Sequence, residues 1–189
     1  MPGKWYSQLY DLALDQFGYI TSIDAKTAGA GRDVLVHMAR AGHLERVSHG
    51  LYRFTLTPHE PNAHLMEAVL WSRSLGVLSH DSALDLWDVS VVSPHHRHLT
   101  VPVGTRLRRK TPQPIYEIHQ ADLDEHEKTV WEGIPTTTLA RTIRDCWRRL
   151  DSRILTQAVQ NGRRHGYLSR TEHEELETQL EATCGRHPI

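Results

Sequence analysis

Ser79-His80-Asp81 places the hydroxyl, imidazole and carboxylate of a hydrolytic triad in three consecutive positions. Consecutive residues on a short helix point about 100° apart, so they cannot form the relay that nucleophilic catalysis needs. Ser79 as a helix cap, with an acid in the first turn, explains the same residues. His95-His96-Arg97-His98 offers imidazoles to a metal, but no Cys, Asp or second His pair stands at a ligand spacing, and a polar loop entering a strand accounts for it. Asp122, Asp124 and Glu125 cluster as nuclease carboxylates do, yet the strand before them, Ile115 to His119, supplies no lysine, and a solvated capping turn is the better reading. Neither a glycine-rich phosphate loop nor the Gly-Ser with paired aspartates of a nucleotidyltransferase is present. The expectation is therefore a protein that is not an enzyme, with no catalytic residue, no metal ligand and no cofactor.

Binding chemistry is better represented. Lys26, Arg32, Arg40, Arg46 and Arg53 fall within a short N-terminal stretch. Residues 1–58 carry six Lys/Arg against five Asp/Glu, 59–135 seven against eleven, and 136–189 nine against seven. The net charge of −1 thus conceals local cationic surfaces, which matter more to an anionic partner than the total. Two further basic groups, the loop Arg106, Arg108, Arg109 and Lys110 and the helical set Arg141, Arg144 and Arg148, can meet an acidic partner or flanking DNA, or merely be solvated.

These cations need elements to position them. Trp5, Leu9, Leu12 and Ala13 predict an amphipathic helix near 4–16, ended by Phe17-Gly18. Thr21 or Ser22 caps a short helix through Ala28, Gly29 makes the turn, and a second helix runs from about Gly31 to Ala41 with Gly42 as its stop. His43 to Leu56 follows as a hairpin turned by Ser48-His49-Gly50, Gly50 supplying the positive φ. Between Gly18 and Phe54 this is a winged helix-turn-helix. On the second helix Arg32, Asp33, Val36, His37 and Arg40 share one arc, opposite Val34, Leu35, Met38 and Ala41. That arc suits a major groove, with Arg32 as the base reader, Asp33 beside it and Lys26 and Thr27 on the preceding helix. Arg46, Ser48, His49 and Arg53, on or beside the hairpin, are expected to hold phosphates or enter the minor groove.

Thr57-Pro58-His59-Glu60-Pro61 breaks both helix and strand and marks a boundary. Beyond it helices are predicted at Asn62 to Leu75, Ser79 to Trp87, Thr138 to Trp147 and Ser152 to His165, and strands at His98 to Val103 and Ile115 to His119. The capping box Ser169-Arg170-Thr171-Glu172 opens a last polar helix. The fold class is α+β: a winged helix-turn-helix over 1–57, a mixed α/β domain over 62–182 and a tail at 183–189. Cys146 and Cys184 make no disulfide framework. No run reaches the roughly 20 apolar residues of a membrane span and Met1-Pro2-Gly3-Lys4-Trp5 is no secretory signal, so a cytoplasmic location and no membrane partner are expected.

Five segments in order resemble the AbiEi family of antitoxins and transcriptional regulators of type IV toxin-antitoxin systems. They are Gly18-Tyr19-Ile20-Thr21, the hairpin from Gly42 to Arg53, Val77 to Leu84, His98-Leu99-Thr100-Val101-Pro102, and Gly133 to Thr142. The resemblance implies an N-terminal domain that binds double-stranded DNA and represses its own promoter at inverted repeats, and the few cations per module imply two copies on repeated half-sites, a dimer on DNA. It also implies a C-terminal domain opposing a nucleotidyltransferase toxin. The alternative is a protein-interaction module, or a DNA-binding regulator without antitoxin activity.

Overall fold

The computed structural model describes residues 4–107 and 116–184. The chain divides into two compact units, Met1–Ser74 and Leu75–Ile189. The break expected at 57–61 falls inside the first unit, because the helix beyond it is tied back. The Tyr19 hydroxyl donates to Glu67 at 2.9 Å, and Arg53 Nη2 donates to the carbonyls of Thr57 and Pro58 at 3.3 and 2.8 Å.

The first unit begins with α1 (Lys4–Leu14), which buries Leu9 and Ala13 while Leu12 remains 40% exposed. A short strand that periodicity did not reveal, β1 (Tyr19–Thr21), leads into α2 (Ser22–Thr27). Thr21 is the cap of α2: its Oγ1 accepts from the Asp24 amide at 3.1 Å while Asp24 accepts from the Thr21 amide at 2.8 Å. This reciprocal pair satisfies amides that the first helical turn leaves without partners. Helix α3 (Arg32–Arg40) follows the Gly29 turn, and strands β2 (Leu44–Ser48) and β3 (Leu51–Phe54) complete a sheet ordered β1-β3-β2. Leu35, Met38, Ile20, Leu44 and Phe54 form its core with Leu9 and Ala13 of α1. Tyr6 and Tyr10 meet the Phe54 ring edge-on at 5.5 and 5.1 Å. Last comes α4 (Ala63–Trp71), buried on nearly every side.

The hairpin turn is shorter than expected. A register shift between Arg46 and Ser48 brings Ser48 opposite Leu51, so only His49 and Gly50 form the turn. Gly50 has φ +73°, its carbonyl accepts from the Ser22 amide at 2.9 Å, and a Cβ there would lie 2.7 Å from Ser22 Oγ. The close approach and the positive φ both select glycine.

The second unit is built on a five-stranded mixed sheet ordered β6-β5-β4-β8-β7. Its strands are β4 (Val77–Leu78), β5 (Arg97–Val101), β6 (Tyr116–Gln120), β7 (Lys128–Trp131) and β8 (Ile134–Thr137). Helices α5 (His80–Trp87), α6 (Leu139–Cys146), α7 (Ser152–Arg164) and α8 (Arg170–Cys184) bury Leu84, Leu139, Ile143, Leu155, Val159 and Leu176 in one core. The capping box at α8 forms as predicted, Ser169 and Glu172 each accepting the other's amide. None of these helices, nor any other among the described residues, is long and apolar enough to cross a membrane.

Candidate functional sites

The first site is the outward surface of the helix-turn-helix. Leu35 and Met38 pack inward, which leaves Asp33, His37 and Arg40 exposed on α3 and Val36 half-buried. Arg32 is the first residue of that helix. Lys26 and Thr27 on α2, and Arg46 and His49 on the hairpin, are also exposed. Two residues expected to hold phosphates are placed otherwise. Arg53 is only 7% exposed: its guanidinium lies 5.8 Å over the Tyr19 ring and is engaged by the Thr57 and Pro58 carbonyls, so it braces the unit. Ser48 turns its hydroxyl oxygen inward, where it has no hydrogen-bond partner among the described residues.

The second site lies on the sheet face beneath α5 and α6. Strands β5 and β6 run parallel with His98 opposite Glu117 and Thr100 opposite His119. Because strand side chains alternate, His98, Thr100, Glu117 and His119 share a face. His98 Nδ1 is 3.0 Å from His119 Nε2, and the His119 ring stacks on His80 with centroids 3.6 Å apart. His80 opens α5 with φ +52°, a left-handed conformation unusual for a residue with a side chain. Ser79 occupies the cap position of α5 but does not cap with its side chain; its Oγ contacts His80 Nδ1 at 2.9 Å and accepts from Thr100 at 2.8 Å.

Two arginines fasten this cluster. Arg149 donates to Asp81 at 3.3 Å and Glu117 at 2.9 Å, while Arg141 donates to Asp145 and Glu127, both at 2.8 Å. Burial, then the neighbouring His119 and His98 and the two arginines, lowers the His80 pKa to about 3. Burial likewise lowers His98, against the pull of Asp81 and Glu117, and lowers His119. Asp145 is raised by burial despite Arg141, and its Oδ2 has no hydrogen bond. The Cys146 thiol, 3.7 Å from Asp81, is pushed well up by burial, so it is no nucleophile.

Residues 7–55 match the family described as "Transcriptional regulator, AbiEi antitoxin". This N-terminal segment resembles that family. No curated protein matches the sequence. Among solved structures the chain is similar to the RV2827C protein from Mycobacterium tuberculosis, with 13% identity, a TM-score of 0.42, and coverage of 100% of this chain and 84% of that one.

The matching segment contains every N-terminal residue singled out from the sequence, and the exposed ones gather on α2, α3 and the hairpin. The basic set at 141–148 does not survive as one binding face. Arg141 is held inward by two carboxylates, Arg144 pairs with Glu175 at 3.3 Å, and Arg148 is exposed. Arg106 is exposed, and Arg108, Arg109 and Lys110 lie outside the described residues. Asp124 does cap the short turn Glu125–Glu127, its amide donating to a Glu127 carboxylate oxygen at 3.1 Å, whereas Asp122 caps no helix and instead accepts from the Val103 amide beyond β5 at 3.0 Å. The polar cluster of His80, Asp81, His98, Glu117, His119 and Asp145 was not assembled from sequence. Its one local trace is alternation: His96-x-His98 and Glu117-x-His119 place like chemistry on one side of a strand.

Proposed function

We propose that this chain is a DNA-binding transcriptional repressor and antitoxin of a type IV toxin-antitoxin system, acting on its own promoter and opposing a nucleotidyltransferase toxin. The observation that carries the reading is the pairing of α2 and α3 with the short hairpin, on which Lys26, Thr27, Asp33, His37, Arg40, Arg46 and His49 are exposed. In this reading α3 enters the major groove, where Arg32, Asp33, Val36 and His37 face base edges. Lys26, Thr27, Arg40, Arg46 and His49 hold phosphates and set the register. So few cations per copy favour two copies on inverted repeats. The second unit carries the antitoxin role, with Arg106 and Arg148 as exposed cations open to a partner.

A gel-shift with DNA from upstream of the gene tests the repressor half. Specific retardation at low salt is expected, and six phosphate contacts predict roughly a thousandfold weakening between about 50 and 200 mM salt. Arg32→Ala is expected to cost about 1–3 kcal/mol on the operator and to relax sequence choice. No retardation at low salt overturns the DNA-binding reading. Coexpression of the neighbouring gene product with an Arg32→Ala/Arg40→Ala full-length chain tests the antitoxin half. Rescue of growth supports neutralisation apart from repression, and loss of rescue assigns protection to repression alone.

A further inference from the structure

We propose that His98, Glu117 and His119 form a binding site for a divalent first-row transition metal ion such as zinc, ligated by His98 Nδ1, His119 Nε2 and a Glu117 carboxylate oxygen. These are the three residues, among those described, whose ligand atoms all lie within 4.8 Å of one another. The 3.0 Å separation of the two imidazole nitrogens is close to the spacing of about 3.3 Å that two nitrogens, each about 2.0 Å from a shared tetrahedral ion, adopt. A small opening of the two strands' side chains admits the ion. A direct hydrogen bond between the rings is the metal-free state of the same pair, and the ion replaces that proton.

The surroundings supply what a metal site needs beyond its ligands. The ring nitrogen of His98 that would not bind the ion, Nε2, lies 3.8 Å from Asp81 Oδ2, longer than a hydrogen bond, so Asp81 need move only a few tenths of an ångström to orient the ligand as carboxylates do behind metal-bound histidines. Arg149 holds Glu117 Oε1 at 2.9 Å and leaves Oε2 at 3.7 Å from His98 Nδ1. Stacking on His80 fixes the plane of the His119 ring. Within the cluster Asp81, Glu117, Asp145 and Glu127 oppose only Arg141 and Arg149, so two negative charges remain for a dication to match. Two imidazoles and one carboxylate, without thiolate, select zinc, nickel, copper or iron over magnesium or calcium. His98 is buried, whereas His119 and Glu117 are 23% and 35% exposed, which gives the ion an approach and leaves a coordination position toward solvent. His96 Nδ1 lies 3.7 Å from Glu117 Oε2, on the same side of the site.

The test is a titration of chelator-stripped full-length protein with Zn²⁺ by calorimetry and with Co²⁺ by visible absorption. One ion per chain and a Co²⁺ spectrum of low coordination number are expected. His119→Ala should weaken binding at least about tenfold. Glu117→Gln, which keeps the size of a partly exposed side chain, should do the same and serves if the first variant misfolds. His126→Ala, altering an exposed imidazole outside the cluster, should bind as the parent does. Absence of saturable binding by folded parent protein overturns the proposal. So does binding unchanged in both ligand variants, which would assign it to others of the fourteen histidines.

Discussion

In the first unit Lys26, Arg40 and Arg46 stand exposed with no ion pair among the described residues, whereas in the second Arg141 and Arg149 each engage two carboxylates. The same chemical groups therefore have opposite consequences. A hydrated cation contributes little to folding and stays available to an anionic partner, with an attraction that salt screens. A guanidinium held between two carboxylates is part of the scaffold, and removing it leaves partly buried charges without their partner. Cation counts along the chain cannot separate the two cases; accessibility and partners do.

The comparison breaks most readily at Arg141. Truncation to Ala leaves Glu127 and the nearly buried Asp145 without their shared partner, so Arg141→Ala should lower stability by about 3 kcal/mol. Urea unfolding measures it. A loss below about 0.5 kcal/mol would put Arg141 in the same class as a surface charge.

Acid should probe the second unit through His80. Its pKa falls from the ordinary 6.5 to about 3 on folding, chiefly by burial, so the unfolded chain binds a proton the folded one refuses. Stability from this group is fully present above pH 6.5 and is lost as pH falls toward 3. Between pH 7 and 5 the loss should be about 2 kcal/mol, read from urea midpoints at each pH. Glu127 acts in the same direction lower down: Arg141 overcomes burial and holds it below the ordinary carboxylate value, so its contribution disappears as pH falls through that lowered value. His80→Asn should remove the His80 share of the slope between pH 7 and 5 and leave the shares of His98 and His119, which burial also lowers. An unchanged slope would assign it to other groups.

How much was legible in the sequence follows the range of the interactions. Thr21 or Ser22 as the cap of α2, Ser169 with Glu172, and Gly50 in the hairpin are local signals and each was visible, though the return bond from Asp24 to Thr21 was not among them. The β1 strand is three residues long and exists because β3 pairs with it, so no periodicity could announce it. The cluster around His98 depends on the parallel register of β5 and β6 and on helices that bring Asp81 and Asp145 to the same face. Residues from Ser79 to Arg149 meet there, and no short motif spans them. Arg53 was misread for a related reason. Alternation gives the side of a strand, not the depth, and the chain that folds over Arg53 comes after the hairpin.

Arg53→Ala should then behave as a scaffold change. Loss of two charge-assisted hydrogen bonds and of the Tyr19 contact should cost about 1.5 kcal/mol, while the folded fraction binds DNA as the parent does. Thermal unfolding combined with a gel-shift separates the two effects. Weakened binding at full stability would return Arg53 to the DNA surface.

Arg40→Ala is the opposite member of the pair and the smallest effect on folding. Its side chain is exposed at the end of α3 with no ion pair among the described residues, so stability should change by less than about 0.5 kcal/mol. Affinity for operator and for random DNA should fall together, and the slope of log affinity against log salt should become shallower by about 1, as expected when one phosphate contact is lost. A stability loss matching that of Arg53→Ala would mean that the first unit also uses its exposed cations to hold itself together. An undiminished salt slope would mean that α3 does not lie along a phosphate backbone at its C-terminal end. Only a charge that is idle in folding and active in binding satisfies both measurements, which is what distinguishes the outward face of the first unit from the enclosed cluster of the second.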